Sequence, residues 1–158
     1  MKIRVGFGFD VHPLEAGRDL WLGGIKLQAT KGSVGHSDAD VLIHALCDAI
    51  LGAANLGDIG VHFSNDDPRW AGMDSKFFLK EVTRMIAAKG WKVENVDCTV
   101  TLEAPKLRPH IESMKQTLAP LMNISESDVS IKATTNEKLG YVGRMEGVNA
   151  YAVVLISK

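Results

Sequence analysis

The stretch SDADVLIHALCDAILGAANLG, residues 37–57, does most to limit the folds open to this chain. Val41, Leu42, Ala45, Leu46, Ala49 and Ile50 recur at helical spacing, Ser37 can cap, acids fill the first turn and Gly57 follows as a stop. A helix with an apolar stripe must bury that stripe against another layer. The layer comes just before it. IRVGFGFDVHPL alternates as a strand, DLWLGGIKLQ reads as a second strand, and EAGR is the turn that makes the two a hairpin. DIGVHFSNDDPRWAGM, rich in Gly, Asp, Asn and Pro, reads as a long loop and is therefore suspected of function. A second helix is expected from Asp74 or Ser75 to Gly90, and a strand over WKVENVDCTVTLEA. A third helix over KLRPHIESMKQTLAPLM tolerates Pro109 in its first turn. DVSIKATT and GVNAYAVVLIS are two more strands around a loop, NEKLGYVGRME. The order ββααβαββ predicts an α/β (α+β) two-layer sandwich, a mixed four- to five-stranded sheet with helices on one face. Residues 1–158 read as a single domain without repeat, linker or low-complexity tract.

Composition narrows the partners. With 158 residues, 46% of them hydrophobic and 23% charged, the chain can bury a sizeable core without staples. A formal net charge of −1 leaves no basic face for nucleic acid, although a few local cations could hold a small anionic ligand. Cys47 and Cys98 allow at most one bridge and fit a reduced, cytoplasmic chain better than a disulfide scaffold. No apolar run reaches the length of a membrane span, and the opening MKIRVGFGFD lacks a signal peptide's apolar core.

The polar residues inside apolar elements carry the chemistry. Asp10 and His12, two apart on a strand, point to the same side, so they either pair with each other or converge on one ion. His44 in the first helix is awkward there without a partner, and with the strand pair it completes a His2Asp set. Three protein ligands and one open corner is the arrangement of catalytic Zn²⁺. Cys47, one turn after His44, competes for the fourth position, but a buried core thiol is the simpler reading. In HSDAD, His36 and Ser37 add donors beside the free N–H groups of a helix start, where a phosphate could dock. Asp38 and Asp40 read as caps or dipole complements. In KATTNEKLGYVGR, Thr134 and Thr135 offer hydroxyls, Glu137 a carboxylate suited to Mg²⁺ and Arg144 a fork for phosphate, unless this is a plain polar loop. Lys106 follows Pro105 at a turn where a flat ligand could meet backbone amides. Together these features suggest an anionic, phosphate-bearing substrate on two divalent ions.

Assembled in order, GFDVH, GHSDADVLIHALCDAILGAANLGDIG, APKL and KATTNEKLGYVGR resemble the 2-C-methyl-D-erythritol 2,4-cyclodiphosphate synthases of non-mevalonate isoprenoid biosynthesis, from about residue 3 to the last strand. The resemblance implies a monofunctional enzyme and a homotrimer with active sites between subunits. It also implies a cytidine diphosphate substrate, 4-diphosphocytidyl-2-C-methyl-D-erythritol 2-phosphate, whose 2-phosphate attacks the β-phosphorus and expels CMP. Carried over by position, Asp10, His12 and His44 hold zinc, and Glu137 holds a second divalent cation, Mg²⁺ or Mn²⁺. His36 and Ser37 are phosphate-side donors, and His36 and Thr135 stabilise the transition state. Asp58, Ile59 and Gly60 form a wall for ribose and erythritol, and Phe63, Ser64, Asn65, Asp66 and Asp67 form a flexible cover. Ala104, Pro105, Lys106 and Leu107 form the cytosine pocket; Thr134, Thr135, Asn136 and Glu137 the diphosphate site; Tyr141 and Arg144 the remaining contacts. Asn65 stands where the family often has Asp, Met145 where it often has Gly, and Glu103 and Arg108 also depart from its pattern.

Overall fold

Alternation decides where β1 (Ile3–Ala16) puts its side chains. Gly6 and Gly8 are buried and Asp10 and His12 are partly buried on one side, while Ile3, Val5, Phe7, Phe9 and Val11 stand exposed on the other. The computed structural model describes residues 1–158. After β1 come β2 (Leu20–Leu22), β3 (Ile25–Leu27), β4 (Lys31–Ser33), α1 (Val41–Ala54), α2 (Ile59–His62) and α3 (Ser75–Ala87). They are followed by β5 (Lys92–Thr101), α4 (Ile111–Met122), β6 (Val129–Thr134), α5 (Gly140–Gly143) and β7 (Gly147–Ser157). The five-stranded sheet has the order β4-β1-β7-β5-β6, antiparallel except for the parallel pair β5–β6. The expected mixed sheet with a helical layer is therefore present. The helices cover the face that carries Gly6, Gly8, Ala150, Ala152 and Cys98, all buried.

Several expected elements differ, for local reasons. DLWLGGIKLQ is a separate two-stranded hairpin, β2–β3, rather than one strand. Gly23 and Gly24 both have positive φ, 61° and 79°, the requirement of a tight type I′ turn. The short strand β4 is an addition to the expected elements. The long loop 58–73 contains α2, whose Asp58 side chain accepts from the Val61 N–H, and a 3₁₀ turn, Pro68–Trp70, capped by Asp67. NEKLGYVGRME likewise holds the single turn α5. The first helix is capped by Asp40 rather than Ser37, and its first turn holds no acid. The Asp40 carboxylate is fully buried and accepts from the Ile43, Gly23 and Gly24 N–H groups at 3.1, 3.0 and 2.7 Å. It thereby ties the β2–β3 hairpin to the start of α1. Burial pushes this carboxyl above its ordinary pKa against the pull of those amides.

The contact between α1 and β1 sets the position of everything else. A Cβ at Gly6 would lie 1.9 Å from the Ala49 carbonyl oxygen, and one at Gly8 would lie 1.9 Å from that of Ala45. Only glycine lets the strand pass so close. On its other sides α1 buries Leu42, Leu46 and Ile50 completely, each contributing on the order of 1.5–3 kcal/mol. Gly8→Ala must push the strand off the helix and is expected to cost about 1–3 kcal/mol. Gly52, on the same helix, has open space around it: beyond its own helix backbone and chain neighbours, nothing lies within 4 Å of where a Cβ would stand. Gly52→Ala is therefore expected to stabilise by about 0.5–1 kcal/mol through helix propensity. Denaturant titrations at one fixed protein concentration check both signs.

Candidate active site

Asp10 and His12 leave the inner face of β1 where the first turn of α1 begins, and His44 comes down from that turn to meet them. His12 Nε2 is 3.0 Å from Asp10 Oδ2, His44 Nδ1 is 3.1 Å from the same oxygen, and the two nitrogens are 3.1 Å apart. This is the one group of three or more His, Cys, Asp or Glu side chains in the fold placed to hold a metal ion. All three are mostly buried, with side-chain exposures of 26% for Asp10, 16% for His12 and 13% for His44. The His12 ring is oriented by its Nδ1–H, which donates to the Val34 carbonyl at 3.0 Å. Gly35 makes room for that ring, since a Cβ there would come within 2.9 Å of His12 Cε1.

These donors fit a tetrahedral divalent ion. Ligand distances of about 2.0–2.1 Å put tetrahedral ligand atoms roughly 3.3 Å apart, within a few tenths of an ångström of the measured edges. A mixed imidazole and carboxylate set with three protein ligands also suits a centre that keeps one position for a substrate. The electrostatics agree with a corner built for positive charge. Burial raises the pKa of Asp10, but the hydrogen bonds of His12 and His44 outweigh it and hold the carboxyl at about 2. Burial lowers the pKa of His12, yet the Asp10 carboxylate and the Val34 carbonyl raise it above the ordinary imidazole value. Cys47 lies outside the group, fully buried in the core, and burial pushes its thiol well above the usual value.

The corner opens into a cleft of about 320 Å³ lined by Asp10, His12, Gly35, His36, Ser37, His44, Ile59, Gly60, Phe63, Asn65, Trp70 and Phe78. The expected donors, wall and part of the cover thus converge here. The His36 Nε2–H donates to the Asp67 carbonyl at 3.1 Å, which fixes that ring at the cleft. Asp58, Ser64, Asp66 and Asp67 do not line it. Asp58 caps α2, the Ser64 hydroxyl accepts from the Asp66 N–H, and the Asp67 carboxylate is forked onto Arg69. The cover is anchored more firmly than its composition suggests. Phe63 packs on Phe78 at 4.9 Å and on Trp70 at 5.5 Å between ring centroids, and Trp70 stacks on Phe77.

The remaining expected residues lie elsewhere. A second cleft, about 220 Å³, is lined by Leu102, Glu103, Pro105, Lys106, Leu107, Arg108, Ala133, Thr134 and Thr135, and shares no residue with the first. Asp10, Ala150, Val100 and Ala133 form one row across β1, β7, β5 and β6. Three strand spacings of about 4.8 Å therefore separate the two clefts by roughly 14 Å. Glu137, with φ 52°, turns in a loop whose shape is set by Glu103, a carboxylate that accepts from the Asn136 N–H at 2.8 Å and the Lys138 N–H at 3.4 Å. Tyr141 lies over Gly147, and Arg144 is forked onto Glu146 at 3.0 Å, so neither lines either cleft.

Two supporting residues escaped sequence reasoning. Asp48 accepts from the Ile59 N–H at 2.7 Å and pins the α2 wall to α1. Its position one turn after His44 on the same helix face was the available signal. Ser75, fully buried, places its hydroxyl 2.9 Å from His44 Nε2; a serine at a helix start gave no hint of that.

Comparison with known proteins points the same way. The YgbB family model matches residues 3–157. Proteins of Cytophaga hutchinsonii and Bacteroides fragilis, both named 2-C-methyl-D-erythritol 2,4-cyclodiphosphate synthase, are 67% and 59% identical over 158 residues, 100% of this chain and 99% of each relative. A solved synthase of that name in a CDP-bound form superposes with a TM-score of 0.90 at 40% identity, over 98% of this chain and 100% of its own. The bifunctional IspDF of Campylobacter jejuni superposes with a TM-score of 0.94 at 39% identity; the match takes in 98% of this chain and 42% of that longer one. With the family model running from the first strand to the last, and the His2Asp corner seated between β1 and α1, this chain belongs to the YgbB family.

Proposed function

We propose that this chain is a 2-C-methyl-D-erythritol 2,4-cyclodiphosphate synthase, a lyase acting on phosphorus–oxygen bonds in the non-mevalonate isoprenoid pathway. It converts 4-diphosphocytidyl-2-C-methyl-D-erythritol 2-phosphate to the cyclic diphosphate and CMP. The observation that carries this reading is the Asp10–His12–His44 corner at the base of a cleft, in a chain that matches synthases from end to end. An oxygen of the 2-phosphate forms a new bond to the β-phosphorus as the bond from that phosphorus to the CMP oxygen breaks. No protein nucleophile is required, so the chain's work is positioning and charge neutralisation.

The roles divide between the clefts. Asp10, His12 and His44 would hold Zn²⁺. Glu137, whose carboxylate forms no ion pair and touches only the Thr135 hydroxyl at 3.4 Å, would hold Mg²⁺ or Mn²⁺ as a hard oxygen ligand. Bound there, the two dications would offset the repulsion between the attacking phosphate and the diphosphate. Ser37 and Thr135 supply donors to phosphate oxygens, and His36 joins them when its Nε2–H turns from the Asp67 carbonyl to the phosphate. Ile59, Gly60 and Asn65 meet the sugar and the erythritol, while Ala104, Pro105, Lys106 and Leu107 present backbone groups to the cytosine edge.

The two clefts work together when copies of the chain assemble. Ile3, Val5, Phe7, Phe9, Val11, Tyr151 and Val153 leave a contiguous apolar face on the outer side of the sheet, with Val5 and Phe7 67% and 63% exposed. An apolar patch of this extent marks an interaction surface. A cytoplasmic homotrimer that buries this face would seat the second cleft of one copy against the first cleft of its neighbour.

Phosphorus NMR of the chain with the cytidyl substrate is expected to show CMP and a cyclic diphosphate. Release of inorganic phosphate instead would make the protein a metal phosphohydrolase. His44→Ala is expected to lose bound zinc and activity together while the fold survives, because Asp10 and His12 alone are an insufficient ligand pair; full zinc occupancy in that variant would remove His44 from the site. A uridyl analogue, whose base edge reverses a donor and an acceptor, is expected to lose kcat/KM by about 10²-fold or more, the cost of a buried mismatched polar edge. Equal kcat/KM for both nucleotides would contradict reading of the base by the 104–107 backbone.

A further inference from the structure

We propose that Asp38 and Ser75 are positioning residues, a two-member relay that lets His44 carry its proton on Nε2 and turn a bare Nδ1 into the Asp10–His12 corner. This rests on the reading of that corner as a divalent-metal site. Ser75 sits at the first position of α3 and is completely buried. Its Oγ lies 2.5 Å from Asp38 Oδ1 and 2.9 Å from His44 Nε2, and its own N–H donates to Asp38 Oδ2 at 2.9 Å. A carboxylate only accepts, so the Ser75 hydroxyl proton points at Asp38. The serine oxygen then faces His44 with lone pairs, and the proton it receives is the one on Nε2.

That choice matters because the other nitrogen faces a competitor. Asp10 Oδ2, 3.1 Å from Nδ1, would draw the proton to the metal side of the ring, where it blocks the ligand lone pair. The Asp38–Ser75 pair provides the opposing acceptor, as the Val34 carbonyl does for His12. Asp38 is itself held in place: Oδ1 accepts from the Asp40 N–H at 3.2 Å, and the Asp38 N–H donates to the Met73 carbonyl at 3.1 Å. The Ser37 hydroxyl, 3.2 Å from His44 Nε2, can take a weaker share of the same proton. One carboxylate thus aligns α3, the segment before α1 and the ligand at once. Partners of this kind, behind a metal-bound imidazole, change metal affinity by about 10–100-fold.

Two variants separate polarity from shape. Ser75→Ala removes the acceptor and leaves Ser37 as a partial substitute. Asp38→Asn keeps the shape but reverses the relay. With the amide oxygen on the shorter of its two backbone donors, the Ser75 N–H at 2.9 Å rather than the Asp40 N–H at 3.2 Å, the amide NH₂ faces the Ser75 oxygen, and the serine proton swings toward His44 Nε2. The experiment is a cobalt(II) titration of the full-length wild type and both variants, read by the visible absorption of tetrahedral cobalt. It is joined by proton NMR of the imidazole N–H groups in the zinc-loaded proteins. Both variants are expected to bind cobalt about 10–100-fold more weakly than wild type, Asp38→Asn at least as weakly as Ser75→Ala. The hydrogen-bonded His44 Nε2–H resonance of the wild type is expected to shift or vanish in each. Affinities for both variants within about threefold of wild type would overturn the relay, well outside the range such partners command. Loss confined to Ser75→Ala would also overturn it, by showing that Ser75 only fills space. A wild type that takes up no cobalt would overturn the metal reading as well, which keeps the two failures distinguishable.

Discussion

Everything in this fold hangs on the absence of two side chains. Gly6 and Gly8 let β1 run against the Ala45 and Ala49 carbonyls of α1, and no other residue fits there. The strand advances about 6.8 Å for every second residue and the helix about 6 Å for every fourth, so the two keep step as they run in opposite directions. Gly6 meets Ala49 and Gly8 meets Ala45; one step further, Asp10 arrives at the turn that carries His44. The Asp10–His12–His44 corner is thus the continuation of a packing register. Its edges of 3.0–3.1 Å are set by a backbone contact two strand residues away.

Around this register, aspartates act as struts. Asp40 joins the Gly23–Gly24 turn to the start of α1, Asp48 joins α2 to the middle of α1, and Asp38 joins the start of α3 to the segment before α1. Each carboxylate is satisfied largely by backbone N–H groups rather than by lysine or arginine. That arrangement compensates buried negative charge without placing a fixed cation beside the first cleft. It also explains how a polar loop of the length of residues 58–73 holds its shape: it is fastened at both ends and floored by Phe63, Trp70, Phe77 and Phe78.

What was legible in the sequence follows from which interactions are local. The two-residue period of β1 and the helical period of α1 report burial directly, and with them Asp10, His12 and His44 could be placed on facing elements. Turn chemistry was also written in the sequence, at a finer grain than composition conveys: Gly23–Gly24 marks a hairpin of its own, and Asp58 and Asp67 are caps that build short helices inside an apparent loop. Ser75 and Asp48 were not legible in the same way. Their partners lie 31 and 11 positions away; helical spacing puts Asp48 on the face of His44, but no periodicity encodes either partner. Ala133, which lines the second cleft, stands roughly 14 Å across the sheet from Asp10, a separation that no local pattern encodes.

That separation gives the account its most direct test. His44→Ala alters the first cleft, and a chain carrying Thr135→Ala and Glu137→Ala alters the second cleft and the loop that follows it, so under the proposed roles each alone should be nearly inactive. If a working site joins the first cleft of one copy to the second cleft of another, co-expression of the two forms restores intact sites, at about a quarter of wild-type activity for random assembly of equal amounts. Activity of the mixed assembly that stays at the level of the separate variants would contradict the account, and would mean that each chain performs the reaction with its own residues.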